Sequence, residues 1–143
     1  MGVSTYQNST LNHALAKTGN HALLRQYYRK LLELRREMPP RNGMGNANCI
    51  VELLPNSSII TVSRGDDQLS ALLVLNFAET AADWLPIGPV QKEPQSHTLQ
   101  LYSAEVAWGG PRPDGELAEQ LKSQTAITIE PQSLLLFISR SPA

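Results

Sequence analysis

The chain is poor in the residues on which most sites are built. It holds one cysteine, Cys49, in 143 residues, so no disulfide can close within it. A lone cysteine in such a context reads as a small buried hydrophobe. The three histidines, His13, His21 and His97, do not stand at ligand spacing, and no His-Glu-x-x-His pattern occurs. No metal and no cofactor are therefore expected. No apolar run reaches the ~18 residues of a membrane span, and the first residues lack the apolar core of a secretory signal. The expectation is a cytoplasmic chain with no membrane partner, in which the sequons at Asn8 and Asn56 are chance matches. The net charge is only −1, which offers little attraction to nucleic acid.

Reactive patterns are equally scarce. No serine stands in Gly-x-Ser-x-Gly, and Gly109-Gly110 is not followed by the Lys-Ser/Thr of a phosphate loop. Asp66-Asp67 falls in a hairpin turn, where Asp is favoured for backbone reasons. Asp114, Glu116 and Glu119 flank a loop and read as solvated. None of these carboxylates forms a convincing acid/base pair.

What the sequence does hold is a core. It is 41% hydrophobic and 17% charged, at a length that suits one domain. The run Leu69 to Phe77 is apolar on both sides of a two-residue period. A strand solvated on one side would alternate cleanly, so this one is expected to be covered on both faces.

Residues 1–20 are polar and read as an irregular arm. Residues 21–40 read as an amphipathic helix entered at Gly19-Asn20, with Leu24, Tyr27, Tyr28, Leu31, Leu34 and Met38 recurring at three- and four-residue steps and Pro39-Pro40 as the stop. Residues 41–48, with two glycines and three asparagines, read as a linker. From Cys49 the period changes to two. Strands are expected at 49–53, 58–64, 69–77, 98–102, 125–130 and 134–138, with a short one through Trp84. The fold class is mainly β: a 49–143 antiparallel sandwich or Greek-key domain of six to eight strands, preceded by one α-helix.

Several stretches together resemble one family. Ser9-Thr10-Leu11-Asn12-His13 is similar to the segment before the last barrel helix of maltooligosyltrehalose trehalohydrolases, with His13 where the family has Trp. Leu24 to Glu37 resembles that helix, and Leu75-Asn76-Phe77 the central strand of the family's C-terminal β-domain. Ser103 to Pro111, with Trp108-Gly109-Gly110-Pro111, is the most specific piece, and Pro131-Gln132-Ser133 resembles the entry to the closing strand. The resemblance implies the C-terminal part of an alpha-amylase-clan glycoside hydrolase that releases trehalose from maltooligosyl trehalose. The family's catalytic carboxylates sit on barrel strands that this sequence does not contain, so no catalytic residue carries over.

This leaves three expected roles. The first is a non-catalytic accessory domain whose partner is a catalytic barrel. The second is a carbohydrate-binding module that stacks α-glucan on Trp84 or Trp108; these two and Tyr102 are the expected carbohydrate or domain-interface contacts. The third is a protein-interaction domain that self-associates through Leu24, Tyr27, Tyr28, Leu31, Leu34 and Met38.

Overall fold

The computed structural model describes residues 13–37, 49–65, 69–86, 97–117, 121 and 125–140. Residues 1–12, Met38 with the two prolines, and the 41–48 linker lie outside the described residues.

Of the 1–20 stretch expected to be an irregular arm, residues 13–20 are described. His13–Lys17 forms a 3-10 turn, and α1 spans Gly19–Glu37. The first helical carbonyl is that of Thr18, which accepts from Ala22 N at 3.3 Å. The helix thus enters slightly earlier than Gly19-Asn20 suggests, since side-chain period marks a face and not an end.

Seven strands follow among the described residues: β1 Cys49–Leu53, β2 Ile59–Gly65, β3 Leu69–Asn76, β4 Ala82–Trp84, β5 Thr98–Tyr102, β6 Ile127–Ile129 and β7 Ser133–Arg140. Five make one antiparallel sheet in the order β1-β2-β3-β7-β5, and β4 and β6 pair in a second. The connections β1–β2 and β2–β3 are too short for a crossover, which forces the antiparallel meander. After β3 the chain alternates between sheets, so β7, the last strand in sequence, enters between β3 and β5.

The period of two along β3 becomes two packed layers. Leu72 and Val74 face the small sheet, and with Ile59, Trp84, Tyr102, Ala104, Ile129, Leu135 and Phe137 they form the inner core. Each such apolar side chain taken from water contributes roughly 1.5–3 kcal/mol. Leu69 and Ala71 face the other way, toward α1, where Leu34, Leu101 and Ile138 are buried and Tyr27, Leu31, Trp108, Leu134 and Leu136 pack around them. The central strand is covered on both faces over this length.

Asn76 closes the inner layer. It is buried at the end of β3, and its Nδ2 donates to the carbonyls of Thr80 (2.9 Å), Ile129 and Glu130 (both 3.1 Å). Its Oδ1 accepts from Ser58 Oγ and Ala78 N, each at 3.0 Å. One amide therefore ties β3 to β6 and fixes the turn that leads to β4. The Tyr102 hydroxyl makes a second tie, accepting from Glu130 N at 3.0 Å.

Candidate functional site

The segment after β5 seats the helix. A 3-10 turn, Val106–Trp108, ends at Gly109, whose φ of +85° suits glycine and whose N–H reaches Val106 O at 2.9 Å. A Cβ on Gly110 would lie 2.1 Å from the Ala104 carbonyl oxygen, so only glycine fits there. Arg112 N donates to Ala104 O and Val106 N to Arg112 O, which brings the loop back on itself. Side chains lock it further. Asp114 Oδ1 accepts from Ala107 N at 2.8 Å, and Glu105 Oε1 accepts from Gly115 N at 3.1 Å. The Arg112 guanidinium is held charged chiefly by its hydrogen bond to Glu130, with Glu116 adding to it.

This rigid loop presents Trp108 to α1. The indole meets Tyr27 edge-on, with ring centroids 5.6 Å apart, and Leu23 lies beside Gly109. Burial raises the Tyr27 phenol above its ordinary pKa, and the adjacent Tyr28 adds to the shift. At the far end of the helix Glu37 pairs with Arg140 at 2.8 Å.

These placements bear on the expected sugar or domain-interface contacts. Trp84 is 3% exposed and stacks against Phe137 inside the sandwich, with centroids 6.2 Å apart. Tyr102 is buried beside it. Trp108 lies on the opposite face of the large sheet, half-buried under the helix. The two indoles are therefore separated by a layer of backbone and present no shared stacking surface.

The expected association face divides in two. Leu34 is buried and Tyr27 and Leu31 are half-buried against the sheet, but Leu24 and Tyr28 point away, at 52% and 58% exposed. Leu32, not marked by the three- and four-residue pattern, is half exposed beside them. The apolar stripe is wider than the part the sandwich covers. The sheet shows the same excess, because Val51, Leu53 and Phe77 are each about two-thirds exposed. The two-residue period put Val51 and Leu53 on one face, but it cannot say that the helix stops short of them.

Glu37, Glu105, Asp114, Glu116 and Glu130 are occupied structurally, while Asp66, Asp67 and Glu119 lie outside the described residues. Besides those of the loop, Asp83 accepts from Thr128 Oγ1 at 2.6 Å. Among the described residues no group of His, Cys, Asp and Glu is placed to hold a metal ion. None of their helices is long and apolar enough to cross a membrane.

No family model matches the chain. A curated relative, malto-oligosyltrehalose trehalohydrolase of Rhizobium sp. (strain M-11), is 37% identical over 75 residues, 52% of this chain. The chain spans only 12% of that enzyme's length. Among solved structures, trehalose-6-phosphate hydrolase of Bacillus licheniformis matches 87% of this chain at a TM-score of 0.60 and 16% identity, over 20% of its own length. The second likeness is one of fold.

Proposed function

We propose that this chain is the non-catalytic, C-terminal accessory β-domain of a maltooligosyltrehalose trehalohydrolase-like glycoside hydrolase, carrying with it the last helix of the catalytic barrel. One observation carries the reading. The signature loop around Trp108 is a structural latch between helix and sheet, so the residues most specific to the resemblance serve packing and not chemistry. The partner in this reading is the catalytic barrel, in a cytoplasmic enzyme. The parent reaction would be hydrolysis of the α-1,4 bond that frees trehalose from maltooligosyl trehalose.

Two assays test it on the purified chain. Incubation with maltooligosyl trehalose is expected to release no trehalose. Titration with maltooligosaccharides to millimolar concentration is expected to give neither saturable heat nor a change in tryptophan fluorescence, an expectation that the burial of Trp84 supports. Saturable binding, or trehalose release proportional to chain concentration, would overturn the proposal.

A further inference from the structure

The large sheet ends differently on its two sides. Its β5 edge is irregular, with a register shift between Leu99 and Leu101. Its β1 edge is regular: Cys49 to Leu53 pair with Arg64 to Ile60 at every position, without a bulge. Among the described residues no strand lies beyond β1. Strand edges are ordinarily guarded by a proline, a lysine, a bulge or a covering element. Among the described residues β1 has none of these. Ile50 is about half exposed, Val51 and Leu53 about two-thirds, and Glu52 is the single charge on the strand.

The phase of the ladder decides which backbone groups face outward. Leu54 N–H donates to the Ile59 carbonyl at 3.0 Å, and the register sets these two residues directly opposite each other. Hydrogen-bonded and non-hydrogen-bonded pairs alternate along an antiparallel ladder, so Glu52 and Ile50 also turn their backbone groups to β2. Cys49, Val51 and Leu53 therefore point their N–H and carbonyl groups away from β2, and their side chains share the helix-side face. The edge thus presents a row of donors and acceptors flanked by apolar side chains.

We propose that β1 pairs antiparallel with β1 of a second copy of this chain, about a two-fold axis at Val51, so that the two large sheets become one. This goes beyond the accessory-domain reading, does not depend on it, and uses an edge distinct from the helix stripe. The strand is self-complementary in that register. Val51 meets Val51 of the second copy, and Cys49 meets Leu53 in both directions, so every outward N–H of β1 finds a carbonyl. The apolar side chains of these residues then lie together on the helix-side face. On the alternate face Glu52 stands opposite Ile50. Moving the axis to Glu52 would set two carboxylates face to face and bring Pro55, which has no N–H, opposite Cys49. Moving it to Ile50 would leave Leu53 beyond the end of the neighbouring strand. The net charge of −1 puts little repulsion between two copies.

Sedimentation velocity of the purified chain from ~1 μM to ~1 mM is expected to show a reversible monomer–dimer equilibrium. Val51→Lys, at an exposed position, sets two like charges at the axis. It is expected to weaken the dimer at least tenfold while leaving circular dichroism and the melting temperature of the dilute chain unchanged. The register is read through the native thiol. Leu53→Cys puts a thiol opposite Cys49 of the second copy, at the ~5.5 Å between α-carbons of a hydrogen-bonded pair, which a disulfide spans. Within one chain the same two positions are too far apart along an extended strand to bond. Mild oxidation of this variant is expected to give a covalent dimer whose cross-link maps to positions 49 and 53. The native chain is expected to give at least tenfold less, because the axis holds its two Cys49 thiols at opposite ends of the paired strands. A monomer at every concentration overturns the proposal. So does a dimer indifferent to Val51→Lys, and so does Leu53→Cys cross-linking no more readily than the native chain.

Discussion

The two faces of the five-stranded sheet are closed by different means. The inner face meets a second sheet and is sealed by a nine-residue apolar cluster, the Asn76 amide and the Tyr102 hydroxyl. The outer face meets one helix, which reaches only part of it and is held by an aromatic edge contact, the Trp108 loop and an exposed ion pair. The inner layer thus belongs to the fold itself. The outer layer leaves Leu24, Tyr28 and Leu32 of the helix and Val51, Leu53 and Phe77 of the sheet exposed. Exposed ion pairs such as Glu37–Arg140 contribute little, ~0–1 kcal/mol, so seating of the helix depends on the Trp108 loop and the apolar contacts.

The contrast can be broken most severely from within. Trp84→Ala should cost ~3–5 kcal/mol, because it opens a cavity against Phe137 that neighbouring strands cannot fill, and chemical denaturation would show it as a lower midpoint of a single transition. Asn76→Ala should cost ~2–4 kcal/mol by leaving buried carbonyls of β6 and the Ala78 N–H without a partner. Trp108→Ala should have a smaller global effect, ~2–3 kcal/mol, but a local signature. Hydrogen exchange in α1 should accelerate well before that in β3 and β7. Equal acceleration in both layers would mean that the faces are not separable.

A pH experiment sharpens the same comparison. The Tyr27 pKa is raised in the folded chain by burial and by Tyr28, above the ordinary phenol value of 10.0. The unfolded phenol therefore ionises first. The stabilisation it provides is complete below pH 10 and is lost as pH rises through the folded value. Exchange in α1 should accelerate above pH 10, and Tyr27→Phe should remove that sensitivity. The smallest effect is expected at the exposed edge strand β1. Val51→Thr should change stability by no more than ~0.5 kcal/mol while reducing binding of a hydrophobic dye.

Much of this fold was legible in the sequence, and the parts that were not share a cause. Strand positions followed from period two and from turn residues, so Thr98–Tyr102 matched residue for residue and Trp84 fell in its short strand. The doubled apolar face of β3 announced covering layers on both sides. Which aromatic was buried was not legible, because Trp84 and Trp108 both stand near glycine- or proline-rich segments and only the alternation between sheets separates them. The helix pattern named Leu24 and Tyr28 together with Tyr27 and Leu34, and it could not tell that one sheet would cover only half of the stripe. Gly110 was legible as part of a motif. Its reason, the Ala104 carbonyl against its Cα, depends on a return of the chain that local sequence does not encode.

The position of β7 also governs timing. During synthesis from the N-terminus the β1–β2–β3 meander is complete more than fifty residues before its neighbour on the far side of β3 exists. Until Ser133–Arg140 arrives, the open edge of β3 has no hydrogen-bonding partner, and Leu72 and Val74 wait without Leu135 and Phe137. Long-range pairing of this kind is slow and leaves apolar strand surface open to other chains. The nascent chain is therefore most prone to aggregate in that interval, and the rate of closure should follow substitutions in β7 more closely than those in β1.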